Sequence, residues 1–478
     1  MATSLLIEAL RKAFPAEQVI LQGTGEYEKL NGSYLSALES DIKPTAICQP
    51  KSKEEVSTFV KTIKPFAASG ETLFAIRGAG RQPVPGCANI QDGITLDLGL
   101  LTGIELKSET VSIAAGERWE AIYEKLEGEG LAVTGNRSNK GGIGGLALQG
   151  GLSVFSSREG FVCDNVVNYE IVLADGSIVN ANAKENSDLW IALKGGANNF
   201  GIVTRFDMRT FKQGPFWGGS VFYFEPTFPS QIEALVKELH KRDASDETHL
   251  MISIGYTAQF GQTMCMNQVY YTQAVEKPAV LEPFTEIQPQ LDALNSMRVM
   301  GLKDSAKEQA ADTPGFQRCA YMNTTVNADV ATLLAATNEY TSAIGPIKPV
   351  EGLVCSLTLQ PYPTSLLKKS ASLGGNSLGL DPAEGPLVSV LLLTYWKNKS
   401  DDEQVLKVMR DILEKGDKIS LSKGTAVDFK YLNYAFTFQD PIGSYGVENK
   451  QKLREASKKY DPEGLFQKGC PGGFKLFT

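Results

Sequence analysis

Residue types with chemical reach are few in this chain, and they are unevenly spaced. Its 478 residues include two histidines, His240 and His249, and seven cysteines that stand singly with no CxxC pair. A His-rich metal site, a thiolate zinc site and most His-dependent triads lack their raw material. No metal centre is expected, and both histidines read as ordinary surface or core residues. Glycine carries the strongest pattern. Seven of the seventeen positions from Gly135 to Gly151 are glycine: Gly135, Gly141, Gly142, Gly144, Gly145, Gly150 and Gly151. That density is incompatible with a helix or strand interior and suits close approach of backbone N–H groups to a ligand. A second loop reads Arg77-Gly78-Ala79-Gly80-Arg81-Gln82. A third, Gly195 to Thr204, contains Gly201, Ile202 and Val203. Near the C-terminus, Tyr431-Leu432-Asn433-Tyr434 sets two phenols around an amide.

Two common phosphate-binding signatures fail on context. Gly142-Ile143-Gly144-Gly145-Leu146-Ala147 fits GxGxxA with Asp164 about twenty residues on, but TGNRSNKG precedes it where a dinucleotide fold needs an apolar strand. No GxxxxGK[ST] loop occurs. Bulk properties exclude further classes. The formal charge of −8 argues against a nucleic-acid surface. No run of ~18 uninterrupted apolar residues exists to span a membrane. The N-terminal MATSLLIEALRKAFP has helical apolar spacing broken by charges, so it reads as a surface helix and not a leader. An intracellular protein without a membrane or nucleic-acid partner is expected.

The elements around these loops follow from pattern. TLFAI, ITLDLGLL and TVSIAAG read as short strands bounded by glycines, and ERWEAIYEKLEGEG as an amphipathic helix. VVNYEIVLADGSIVNAN reads as a hairpin turning at Asp175-Gly176. After about residue 212 glycine thins out. Helices such as SQIEALVKELHKR alternate there with strands such as HLMISIGYTA and LVSVLLLTYW, which predicts an antiparallel sheet flanked by helices and an α+β fold class. At this length two domains are the default.

Taken in order, these features resemble the FAD-linked oxidases of the vanillyl-alcohol oxidase and p-cresol methylhydroxylase (PCMH) superfamily, closest to fungal members of the berberine bridge enzyme-like branch. The family's R-x-G-G-H loop is similar to Arg77–Arg81, and its G-G-R-x-x-x-V-G-V-G-G-L-x-x-G-G-G loop to Gly135–Gly151. Its D-N-V-V hairpin resembles Asp164–Val167, its G-G-N-F-G-I-V-T turn Gly196–Thr204, and its Y-x-N-Y motif Tyr431–Tyr434. The resemblance implies a PCMH-type FAD-binding domain of two α+β subdomains over residues 1–212, with its core at about 44–212. A substrate domain would span 213–430, and a C-terminal segment, 431–478, would return to the FAD domain. It implies FAD contacts from Arg77, Gly78, Ala79, Gly80, Arg81, Gln82, Gly135, Ser138, Gly141, Gly142, Gly144, Gly145, Gly150, Gly151, Gly201, Ile202, Val203 and Asn433. Tyr431 would act as acid or base near the ring, with Asn433 adjacent.

Two departures from the family matter. Arg81 stands where a histidine usually bonds covalently to the flavin, and Ser138 on or beside the position where some members add a cysteine link. An arginine cannot make that bond, and a serine without a neighbouring base is a poor nucleophile. Non-covalent FAD is therefore expected. The function expected is an oxidase that moves a hydride from a small organic molecule, an alcohol or secondary metabolite, to flavin, with O₂ as electron acceptor. A redox-neutral isomerase or cyclase that keeps FAD as a structural element is the alternative, and a flavin-free binding protein a third.

Overall fold

Short apolar runs separated by glycine turns build the first two sheets of the computed structural model, which describes residues 2–68, 70–310 and 318–477. Strands β1 (Val19–Leu21), β2 (Ala46–Cys48), β3 (Phe74–Arg77) and β4 (Ile94–Asp97) form a four-stranded sheet in the order β1-β2-β4-β3, parallel except for β1 against β2. Helix Lys53–Ala68 covers it with Val56, Phe59, Val60 and Ile63 fully buried. The N-terminal helix Ala2–Ala13 packs on that helix and buries Leu6 and Leu10.

The second sheet is antiparallel, in the order β5-β6-β10-β8-β9, and comprises β5 (Ile104–Leu106), β6 (Thr110–Ala114), β8 (Val166–Val172), β9 (Ile178–Asn182) and β10 (Ile202–Arg209). The two-residue strands β7 (Leu131–Ala132) and β11 (Phe211–Lys212) pair with each other. β8 and β9 are the expected hairpin, Val172 opposite Ile178, and Gly176 supplies the positive φ (79°) at its turn. Helix Trp119–Glu127 is the amphipathic one predicted, with Trp119, Ile122, Tyr123 and Leu126 inward.

The remaining strands make one antiparallel sheet: β12 (Phe216–Phe224), β13 (Thr248–Thr257), β14 (Gln262–Tyr271), β15 (Arg298–Met300), β16 (Arg318–Asn327), β17 (Val354–Tyr362), β18 (Leu387–Trp396) and β19 (Ala426–Val427). Their order is β15-β12-β14-β13-β17-β18-β16-β19. Because side chains alternate along a strand, its two faces differ. Val221, Ile252, Leu357, Val390 and Met322 point into a core closed by helices Phe228–Leu239, Val330–Ala343 and Asp402–Ser422. Phe216, Tyr270, Tyr362 and Leu387 belong instead to the core of the first two sheets. The helices thus lie on one face only, and the other face roofs the glycine-rich loops. Asp329 caps the second of those helices by accepting from the Thr332 N–H at 2.7 Å, a contact worth ~1 kcal/mol.

The chain after the last strand packs back on the first two sheets. Helix Val447–Tyr460 lies against helix Ser187–Leu193, with Lys459 and Asp188 2.7 Å apart. The Phe466 ring meets Phe74 edge-on at 6.2 Å, and the Asn199 amide donates to the Phe474 carbonyl at 2.9 Å. No helix among the described residues is long and apolar enough to cross a membrane.

Candidate functional site

Two glycine-rich loops face each other backbone to backbone at the ends of β3 and β6. A Cβ added to Gly78 would lie 3.7–3.8 Å from Gly145 and Gly144, and one added to Gly142 would lie 2.7 Å from the Ala79 Cβ. Among the described residues, the N–H groups of Ala79, Gly80, Gly144 and Gly145 donate to no protein acceptor, and space beside Gly145 is open. Backbone donors rarely stay unpaired in a fold, and a converging set is an anion cradle. Charge agrees. Arg81 and Arg118 lie within electrostatic reach of each other, and burial, then Arg81, pulls the Arg118 guanidinium below its ordinary value. Arg81 has no hydrogen bond or carboxylate partner among the described residues. This donor set fits the diphosphate of FAD. The ladder of β10 to β6 stops at Arg205, so Ile202 and Val203 extend past it towards the same loops.

Other residues expected in this group are held by the protein itself. The Arg77 side chain donates to Leu30 O (2.8 Å) and Ser33 Oγ (2.6 Å), pairs with Asp97 at 3.6 Å and lies over the Tyr34 ring. Only its backbone is left for a cofactor. Gly135 is required by packing, because a Cβ there would sit 2.4 Å from the Trp119 ring. Gly201 is likewise pressed on Val172 O and Ile171. The Gly80 carbonyl accepts from Leu35, the Gly141 carbonyl from Trp119 and the Gly150 carbonyl from Cys163. Ser138 closes a local turn, its Oγ accepting from the Lys140 N–H at 3.4 Å. Asp164, which would hold a ribose in a dinucleotide fold, is buried and accepts from Phe161 N–H and the Asn376 amide, both at 2.8 Å.

The C-terminal motif ties the loops together. The Gln149 amide donates to Gln82 Oε1 at 2.9 Å, the Gln82 amide to Leu432 O at 3.3 Å, and the Gly151 N–H to Asn433 Oδ1 at 3.4 Å. Tyr431 is fixed by Asn323, whose side chain both accepts from its N–H (2.8 Å) and donates to its carbonyl (3.0 Å). The Tyr431 hydroxyl is buried with no partner among the described residues, and the Tyr362 hydroxyl is buried beside Ser389. Burial pushes both phenols upward, far above the range of a base at neutral pH.

The wall opposite is built from Tyr434 of the C-terminal motif and from side chains on several strands of the eight-stranded sheet. Tyr434 sits edge-on to Tyr431 at 4.8 Å, and its hydroxyl donates to Gln360 Oε1 on β17 at 3.1 Å while accepting from the Arg137 guanidinium. Arg137 also donates to the Met251 thioether on β13 at 3.0 Å. Tyr321 and Tyr395, from β16 and β18, share a hydrogen bond at 2.8 Å, with Arg81 in electrostatic range. His249, on the same face, is pushed down to about 3 by burial and then Arg137. His240 binds Ala328 O at 2.9 Å. The sequence signals were the arginine of the central-loop pattern and Tyr434 of the Y-x-N-Y motif; nothing in the sequence paired either with Gln360.

Residues 44–182 match the FAD binding domain family. The chain is 34% identical over 466 residues to the FAD-dependent monooxygenase tpcD of Cochliobolus heterostrophus, covering 93% of this chain and 88% of that one. In fold it is similar to 6-hydroxy-D-nicotine oxidase from Arthrobacter nicotinovorans, with a TM-score of 0.78 at 18% identity over 94% and 96% of the two chains. Berberine bridge enzyme from Eschscholzia californica gives 0.76 at 14% identity over 96% and 97%.

Proposed function

Since the chain belongs to the FAD-dependent oxidoreductase family that includes the fungal FAD-dependent monooxygenases, we propose that it oxidises a small organic molecule with FAD held non-covalently and O₂ as electron acceptor. The observation that carries this reading is the pair of facing loops with unpaired N–H groups beneath a sheet face rich in hydroxyls. Bound FAD supplies a two-electron acceptor for hydride. Ala79, Gly80, Gly144 and Gly145 would bind its diphosphate, with Arg81 and Arg118 adding positive charge. Tyr431 would donate a hydrogen bond from its otherwise unpartnered hydroxyl, oriented by Asn323. Asn433 would set the depth of the cleft through Gly151.

Arg81 and Ser138 support non-covalent binding, since neither supplies a nucleophile. Acid precipitation of the purified yellow protein should move all flavin to the supernatant. Flavin fluorescence remaining on the denatured chain would refute it. A metabolite panel assayed for H₂O₂ tests the rest: substrate consumption with matching peroxide supports oxidation, and product without peroxide or O₂ uptake favours a redox-neutral isomerase or cyclase.

A further inference from the structure

We propose that the outer edge of the eight-stranded sheet holds a second binding site, one for a small neutral polyol such as a sugar or cyclitol. The site goes beyond the flavin reading and does not depend on it. A cleft of about 310 Å³ opens between the loop after β14, the short helix Glu282–Thr285 and the segment that runs into β15. That volume is at the lower end of the ~300–1,000 Å³ usual for small-molecule sites. Trp217 of β12 forms part of its lining. Phe216, one residue earlier, belongs to the core of the first two sheets, and Trp217 to the core on the helix side. The cleft therefore lies on the opposite face of the sheet from the glycine-rich loops.

Trp217 is only 4% exposed, yet its indole N–H donates to no acceptor among the described residues. The Trp190 and Trp396 N–H groups are bonded to Val166 O and Asp402, and that of Trp119 is an orphan sealed from solvent. The Trp217 N–H is not sealed, and Trp217 opens on the cleft. A buried donor rarely goes unpaired in a native fold, so this one is placed for a ligand acceptor. Its neighbours are unspent too. Glu276 has neither a cation nor a hydrogen-bond donor among the described residues. Gln290 Oε1 accepts from the Asn295 amide at 3.1 Å, which leaves the Gln290 N–H groups without an acceptor among the described residues. The Thr285 hydroxyl donates to Leu281 O at 3.0 Å and keeps its lone pairs for an incoming donor. The two cations at the mouth are already engaged: Lys277 pairs with Glu286 at 3.4 Å and Arg298 with Glu308 at 2.7 Å. An anion would meet Glu276 and Glu286. A cation would suit Glu276 but has no lone pair for the indole N–H. A hydroxyl does both, donating to a carboxylate and accepting from an N–H. Met297 and Val299, the latter directly opposite Trp217 in the strand register, give the C–H face of a polyol ring an apolar bed.

The chain has four tryptophans, so nitrogen-15-labelled protein gives one indole N–H resonance for each. That of Trp217 is identified by its loss in Trp217→Phe or, where that variant does not fold, by its shift in Glu276→Ala. The full chain as purified is titrated with D-glucose, maltose and myo-inositol to ~20 mM, a range that covers millimolar dissociation constants. Choline, glycine and citrate are run in parallel as a cation, a zwitterion and an anion. The Trp217 resonance should shift saturably with at least one of the polyols, while those of Trp119, Trp190 and Trp396 stay in place. Glu276→Ala should weaken that polyol ~10-fold or more and Gln290→Ala ~3- to 10-fold, with flavin content unchanged in both. Absence of a saturable shift with every polyol overturns the site. Tighter binding of choline, glycine or citrate overturns its ligand class. Polyol binding that leaves the Trp217 resonance unmoved, or that survives both rim substitutions, overturns its place in the fold.

Discussion

The two walls of the cleft are built by opposite means. The lower wall is backbone: facing glycine loops whose donors are N–H groups and whose shape depends on missing side chains. The upper wall is side chain: tyrosines, Gln360 and Met251, most of them from different strands of one sheet, with Arg137 reaching up to them. A backbone wall suits a fixed ligand such as a diphosphate, because its donors survive most sequence change. A side-chain wall can change with each substitution and still keep the sheet beneath it. Specificity is therefore expected above and cofactor retention below.

Substitutions should divide along the same line. Tyr431→Phe, in the upper layer, should lower turnover ~10²-fold or more if its hydroxyl donates to reacting atoms. Folding stability should hold or rise by ~1 kcal/mol, since an unpaired buried hydroxyl is removed. Steady-state kinetics and thermal unfolding measured together decide it, and unchanged turnover would remove Tyr431 from the chemistry. In the lower wall, Gly142→Ala forces its Cβ onto Ala79, and strain of ~1–3 kcal/mol between the loops should weaken FAD ~10- to 100-fold. Gly135→Ala meets the Trp119 ring and Tyr123 instead. It should lower the melting temperature while the folded fraction keeps its flavin. Flavin-to-protein ratios after gel filtration separate the two glycines.

Arg81→His tests whether the cradle still holds the flavin where the family's link forms. Partial covalent flavinylation is expected, read as fluorescence retained by the denatured chain. The smallest effect concerns Glu39, which clamps the far end of the first loop by accepting from Ala88 N–H at 2.6 Å and from Gly86 N–H. Burial raises its carboxyl to about 7 against an ordinary 4.5. A raised acid pKa favours the protonated folded state, so this contribution is complete below about pH 4.5 and is lost as pH rises through about 7. Thermal stability should fall across that window, and Glu39→Gln should flatten the slope.

Much of the lower wall was legible because glycine density and motif order are local properties of the chain. Even there the sequence could not separate motives. Gly135 and Gly142 look alike in a pattern, yet one is pressed on the Trp119 ring and the other on a neighbouring loop. Arg77 looked like a ligand, and the fold engages its side chain with Leu30, Ser33 and Asp97. The upper wall was hidden for a stronger reason: Arg137 and Tyr434 are 297 positions apart and meet Gln360 only through the sheet.

By itself the sequence determined the strands and helices, the glycine loops, and the absence of a linking histidine or cysteine at positions 81 and 138, since periodicity, turn chemistry and residue identity are all written along the chain. Only the tertiary structure decided which face of the eight-stranded sheet roofs the loops, which hydroxyls lack partners among the described residues, and that Arg137 meets Tyr434 and Met251. Those depend on contacts between distant segments, and whether a group has a partner is a property of its surroundings rather than of its residue type.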